Sequence, residues 1–143
     1  MKIQQLSIFS ENKPGHMIAP CRLLAEQGID IRALSLADTQ RFGILRLIVS
    51  DWQRAKGLLE AANFVVKVTE VLAVEVPDRP GGLSEVLDLF EGSAINIEYM
   101  YAFPFNLGKE AVLVFRFDHP DDAIDTLSAG GINVLDSAAL EIR

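Results

Sequence analysis

The chain repeats itself, and the repeat limits what it can fold into. Lys13-Pro14-Gly15 returns 66 residues later as Arg79-Pro80-Gly81, and Gly28-Ile29-Asp30-Ile31 returns at the same spacing as Ala94-Ile95-Asn96-Ile97. Two matched anchors at one spacing mean that one supersecondary unit is used twice. In each copy an apolar strand runs into a short polar stretch, then Pro-Gly, then an amphipathic helix. Proline fixes φ and lacks an N–H, which suits the start of a helix. Asn12 and Asp78 stand two residues before proline, where short polar side chains cap free amides. Those amides and the helix dipole together suit an anion. An ordinary strand-to-helix turn uses the same residue types. A duplicated fold also duplicates its turns, so repetition by itself does not choose between the two.

Taken in order, Lys2–Ser10 reads as a strand and Gly15–Gln27 as a helix, with Met17, Cys21, Leu24 and Ala25 at helical spacing. Pro20 falls inside that pattern, so the helix is kinked there or begins late. Gly28 closes it. Ile29–Ala37 and Phe42–Val49 read as strands around the polar turn Asp38-Thr39-Gln40, and Ser50-Asp51 is placed to cap a helix through Trp52, Ala55, Leu58, Leu59 and Ala62. Phe64–Val76 is rich in β-branched residues. It ends the first copy and opens the second. There Val71–Val76, a helix Gly82–Glu91, Ile95–Phe103, Glu110–Asp118, a helix Pro120–Ser128 and a segment from Ile132 repeat the order. The spacing grows to 68 from the loop Pro104–Gly108 onward, and Ser137–Ile142 resembles Thr69–Val74, which predicts one more strand. Strand, helix, strand, strand, helix, strand is the ferredoxin-like order: an antiparallel sheet with two helices on one face. The expectation is an α+β chain of two tandem βαββαβ modules, 1–69 and 70–143, without a Gly- or Ser-rich linker. Sheet edges invite pairing, so a homodimer is expected.

Composition narrows the partners. Thirteen basic against twenty acidic residues give a net charge of −7, opposed to nucleic acid and to an anionic membrane surface. No stretch approaches the ~20 apolar residues of a membrane span. Met1–Gln5 lacks the apolar run of a signal peptide, and the lone Cys21 offers no internal disulfide, so a cytoplasmic location is expected. One Cys and two His, without ligand spacing, do not make a structural zinc site. Neither Pro-Gly loop has a nucleotide-binding glycine pattern. Ser7, Ser10 and Ser84 have no attached base. No metal and no cofactor is expected. The RNA-recognition motif shares the element order, but its basic-Gly-Phe signature is absent and the charge is wrong. An acylphosphatase-type enzyme would need a patterned anion loop around an Arg, which Arg79 lacks.

Asn12-Lys13-Pro14-Gly15, with the helix ending in Glu26-Gln27-Gly28 and the strand from Ile29-Asp30-Ile31, resembles the ACT domain, an amino-acid-sensing regulatory module. Asp78-Arg79-Pro80-Gly81-Gly82-Leu83 through Ile95-Asn96-Ile97 resembles it again. Two modules account for essentially the whole chain, which is similar to free-standing tandem ACT proteins. The resemblance implies a non-enzymatic regulator. It would bind a free amino acid between ACT modules and act in trans on an amino-acid or aryl-acid metabolic enzyme. The implied ligand-binding loops are Ser10, Glu11, Asn12, Lys13, Pro14, Gly15, His16 and Met17, and Asp78, Arg79, Pro80, Gly81, Gly82 and Leu83. The implied partners at the second strand of another module are Asp30 with Ile31, and Asn96 with Ile97. A zwitterion needs N–H donors for its carboxylate and oxygens for its ammonium. The Asn12 amide with the helix-start amides suits the first, and Asp30 or Asn96 the second.

Some relatives carry a donor His two residues before the Asn; here those positions hold Ser10 and Val76. Pairing across modules would join Asn12 to Asn96 and Asp78 to Asp30. The latter combination repels an anion, so one competent kind of site, built on Asn12, is expected. Several residues keep two readings. Met17 and Leu83 line a pocket or pack in the core. Tyr99, Met100, Tyr101, Phe103 and Phe105 wall an apolar side-chain pocket or an interface. His16 donates to a ligand or sits at the helix start, while His119 reads as a solvated turn residue and Cys21 as core packing. The alternative to a sensor is a ligand-free scaffold that binds a metabolic enzyme through its sheet edges.

Overall fold

The computed structural model describes residues 1–104 and 110–142 in full and the backbone of residues 105–107. Its elements are β1 (Ile3–Glu11), α1 (Ile18–Glu26), β2 (Ile31–Asp38), β3 (Phe42–Val49), α2 (Trp52–Ala61), β4 (Val65–Pro77), α3 (Gly82–Asp88), β5 (Ile97–Leu107), β6 (Glu110–Phe117), α4 (Pro120–Ala129) and β7 (Val134–Leu135). The βαββαβ order is there twice. Two compact units result, one of Gln4–Thr69 joined by Ile142, the other of Glu70–Glu141 joined by Met1–Ile3.

In the unit containing Gln4–Thr69, β3 lies between β1 and β2 and runs antiparallel to both, with Ser10 opposite Gly43, Leu6 opposite Leu47 and Leu36 opposite Leu45. Side chains alternate across a strand, so Leu6, Ile8, Leu45, Leu47 and Val49 share one face. Leu24 of α1 and Ala55 and Leu59 of α2 close over that face. Each fully buried Leu or Ile there contributes about 1.5–3 kcal/mol. Strand β2 is the edge, and on it Leu34 and Leu36 remain 54% and 47% exposed. Pro20 causes no kink. The helix begins at Ile18, which makes Pro20 a first-turn residue whose missing N–H would have had no partner anyway.

In the other unit β6 lies between β4 and β5, and the two-residue β7 pairs with β4 through Ala73–Leu135 and Val74–Val134. Val74, Val76, Phe115 and Phe117 meet Val86 of α3 and Ala123 and Leu127 of α4. Pro120 opens α4 with Asp121 and Asp122 in its first turn, as expected. Asp121, by hydrogen bond and charge, and Glu70 hold the Lys2 ammonium above its ordinary value. The two sheets share one irregularity. The ladder shifts register between Ile31 and Ala33, and again between Ile97 and Tyr99, so a bulge follows the strand start in both copies. No helix among the described residues is long and apolar enough to cross a membrane.

Several local expectations are corrected. Ser137–Ile142 is not a strand. Asp136 Oδ1 accepts from Ala139 N–H at 2.8 Å and its carbonyl from Leu140 N–H at 3.3 Å, so the segment winds into turns that bury Leu140. Asp51 does not cap α2 with its side chain, and it takes a left-handed conformation at φ 49°. Helix α3 stops at Asp88 rather than Glu91, because tighter bonds from Phe90 N–H to Leu87 O (3.0 Å) and Glu91 N–H to Asp88 O (3.1 Å) replace the α-helical ones. Strands β2 and β5 begin at Ile31 and Ile97 instead of Ile29 and Ile95. The loop 104–108 lies partly outside the described residues.

Candidate functional site

Strand β1 delivers the chain at Glu11 into a loop tied to the β2–β3 turn. Asn12 N–H donates to Arg41 O at 2.8 Å, and Asn12 Nδ2 donates to Gln40 O at 3.3 Å. The side chain therefore braces two loops and does not cap α1, whose N-cap is Met17. The backbone N–H is thereby taken, while Nδ2 keeps a second N–H for a carboxylate. Oδ1, an acceptor, has no hydrogen-bond partner among the described residues. The loop then turns through Lys13–Gly15, with His16 N–H on Lys13 O (3.2 Å) and Ile18 N–H on Gly15 O (3.0 Å). Gly15 adopts φ 81° and Gly81 adopts φ 82°, a left-handed geometry that glycine alone enters freely. Among the described residues, nothing accepts from the amides of Lys13, Gly15 and Met17. Residues Asn12–Ile18 line an open concavity of about 480 Å³. Of the first-loop residues predicted for the site, Ser10 and Glu11 lie outside that lining. Ile18 joins it unforeseen, though its place in the first turn beside Met17 could have pointed to it.

His16 is half-buried, and its Nδ1 lies 2.8 Å from Ser10 Oγ. The ring rests against β3. A Cβ placed on Gly43 would stand 2.7 Å from its Cε1. Met17 answers to both of its readings, since it lines the concavity and packs against the core.

The second loop repeats the left-handed glycine and the bond back to the basic residue's carbonyl, but differs in the rest of its bonding and in its interior. Arg79 N–H donates to Pro77 O and Gly82 N–H to Arg79 O. Asp78 caps nothing, the N-cap of α3 being Gly81. Pro77, Asp78, Arg79 and Glu110 line a concavity of about 410 Å³. Arg79 is engaged by Glu85 at 2.8 Å, so the balance of charge there is acidic. Glu110 is opposite Pro77 on the ladder, where Phe42 is opposite Glu11 in the first copy. Gly82 is buried, Leu83 is 37% exposed, and Pro80 and Gly81 are exposed without lining the concavity.

The two strand starts are clamped alike. Asp30 N–H donates to Ser50 Oγ at 2.9 Å and Ser50 N–H to Asp30 O at 3.0 Å. Asn96 N–H donates to Asp118 Oδ1 at 2.8 Å and Asp118 N–H to Asn96 O at 3.1 Å. Ser50, expected as a helix cap, serves the strand instead. Both clamps leave the Asp30 and Asn96 side chains exposed, Asp30 Oδ2 being 3.4 Å from Arg32, while Ile31 and Ile97 pack against the cores. Replacing Ser50 by alanine removes one of the two hydrogen bonds, an expected loss of about 1 kcal/mol. Thermal unfolding checks it, and an unchanged midpoint would show that the clamp is slack.

The remaining candidates divide. Burial pushes the Cys21 thiol above its ordinary value, which makes it a poor nucleophile and leaves the packing reading. His119 is exposed beside Asp118. Met100 packs into the helix-side core and so leaves the cluster, while Tyr99, Tyr101 and Phe103 share the opposite face; the Phe105 side chain lies outside the described residues. Among the described residues no group of His, Cys, Asp and Glu could hold a metal ion.

A family model described as an ACT domain pair matches residues 1–140. Among solved structures, a protein from Bacteroides thetaiotaomicron is 36% identical with a TM-score of 0.89, over 98% of this chain and 96% of that one. The ligand-free regulatory subunit of aspartate kinase from Thermus thermophilus aligns at 15% identity and TM-score 0.63, over 89% of this chain and 91% of that one. Its counterpart from Thermus flavus aligns at 16% and 0.59, over 90% and 92%. No curated protein matches the sequence.

Proposed function

The chain belongs to the ACT domain pair family, and from that premise we propose that it is a non-enzymatic regulator that binds a free amino acid at the Asn12–Ile18 loop. The observation that carries the reading is the donor set of that loop. The amides of Lys13, Gly15 and Met17 have no acceptor among the described residues, and these residues line one concavity at the start of a nine-residue helix. Amides so placed take a carboxylate. Asn12 Oδ1, with Asp30 or Asn96 from the second strand of another module, takes the ammonium. Binding favours one packing of modules and so changes a surface offered to an amino-acid or aryl-acid enzyme in the cytoplasm, with a homodimer as the working unit. The Asp78 loop, with Asp78 and Glu110 in its lining, is the weak member.

A panel of the twenty amino acids in a thermal-shift assay tests this. A ligand at 100 times its dissociation constant adds about 2.7 kcal/mol, a rise of roughly 5–10 °C in a chain of this size. Asn12→Ala should abolish most of it and Asp78→Ala little, and equal losses would sink the asymmetry. The scaffold reading is favoured by one observation, the exposed Leu34 and Leu36 on edge strand β2. It becomes the better account if no amino acid raises the midpoint.

A further inference from the structure

The two loops share a left-handed glycine and the bond back to the basic residue's carbonyl, but three side-chain positions around them differ together. Ser10 is opposite Gly43 on the β1–β3 ladder, and at the same place on the β4–β6 ladder Val76 is opposite Ala111. His16 stands one residue after the first left-handed glycine, and Gly82 one residue after the second. So the trio is Ser, His and Gly in one copy and Val, Gly and Ala in the other. Each set is self-consistent. Where there is an imidazole, there is a hydroxyl to hold its Nδ1 at 2.8 Å and a glycine to let its ring lie on the strand. In the second copy the hydroxyl is replaced by an apolar Val, the seat is filled by a methyl, and no ring could enter. A Cβ on Gly82 would stand 1.9 Å from the Pro77 carbonyl oxygen.

Resting on the amino-acid-binding reading above, we infer that His16, oriented by Ser10 and seated on Gly43, selects the ligand's side chain by presenting Nε2–H as a donor to an oxygen on it. Two features of the site support this direction. Nδ1 and Cε1 face Ser10 and Gly43, and Nε2 has no partner among the described residues. The ring lines the same concavity as the open amides of Lys13, Gly15 and Met17. The hydroxyl can donate to Nδ1 or accept from it; we assign donation, which places the ring proton on Nε2. The concavity is mostly apolar, with surface from Pro14, Met17 and Ile18, and these few donors are set into it. Its ligand class is an amino acid whose side chain ends in a hydroxyl, carboxamide or carboxylate oxygen, in preference to a hydrocarbon side chain of the same shape. Ser10 and Gly43 are positioning residues, since they act through the ring.

Matched ligands test it by calorimetry on the full chain: free threonine against valine, and glutamine against methionine. The wild type should favour the oxygen-bearing member of at least one pair by about tenfold, the loss of one hydrogen bond. His16→Ala, Ser10→Ala and Gly43→Ala should each bring that ratio close to one while a ligand still binds through its carboxylate. Ser10→Thr keeps the hydroxyl and should restore the ratio. The imidazole nitrogen resonances of His16 provide a readout that needs no ligand. They should report the Nε2-protonated tautomer in the wild type and a tautomer mixture in Ser10→Ala. A ratio unmoved by His16→Ala, or Nδ1 protonated in the wild type, overturns the inference and leaves the sensor standing. Failure of every amino acid to bind the wild type overturns both.

Discussion

Replacing Phe117 by alanine should destabilise the protein by about 4 kcal/mol, the upper range for truncating a buried aromatic. Phe117 is 1% exposed on the helix-facing side of β6. Its ring stacks on Phe115 with centroids 5.5 Å apart and leans on Phe90 at 5.1 Å. Truncation loses transfer energy, two ring contacts worth about 0.5–1.5 kcal/mol each, and leaves a void between the sheet, α3 and α4. The neighbours cannot close it. Val86, Ala123 and Leu127 are fixed on helices, and Phe115 is held by its ladder partner Leu72. Urea unfolding gives the number, with Phe42→Ala as control, because Phe42 is 52% exposed and its loss should stay within about 0.5 kcal/mol. Equal effects from the two would mean that this core is not packed as described.

The second large effect is expected from one methyl group. Gly82→Ala puts a Cβ within 1.9 Å of Pro77 O and 2.9 Å of Pro77 C. Both are backbone atoms, so rotamer changes give no relief. The loop or the start of α3 must move, at about 3 kcal/mol or more. Gly81→Ala, one residue earlier, separates this steric effect from a conformational one. Nothing lies within 4 Å of a Cβ there, and the penalty comes only from φ 82°, about 1 kcal/mol. Thermal unfolding should rank Gly82→Ala well below Gly81→Ala, with both below wild type. The reverse order would show that the second loop has room after all.

The sequence carried the fold because its evidence was periodic. The nearly continuous apolar run Phe42–Val49 and the doubled Pro-Gly turn are visible without coordinates, and β3 came out with the boundaries that run predicted. What it hid was competition among polar groups. Asn12, Ser50, Asp51 and Asp136 each have a side chain that could serve its own backbone, and propensity treats them alike. Only the fold decides that Asn12 reaches Gln40, that Ser50 serves Asp30, and that Asp136 captures Ala139 and bends what the repeat predicted as a strand. The site was half legible. The loop residues could be named, but Ser10, His16 and Gly43 are scattered over 33 positions and become one group only through strand register. A signal was present all the same. Superposing the copies at offsets of 66 and 68 shows all three changing at once.

Strand β4 also bears on how such a chain can be inherited. It runs unbroken from Val65 to Pro77, while the division between the two compact units falls inside it, between Thr69 and Glu70. The unit that starts at Glu70 also owns Met1–Ile3, with Ile3 2% exposed and Lys2 paired to Glu70 and Asp121. In genetic terms the duplicated stretch and the folding body are therefore different lengths of DNA. A fission between the repeats would cut a strand and leave three residues of one product encoded in the other's gene. Recombination can move the two repeats together, but a crossover that moves one of them strands part of its core in the gene left behind.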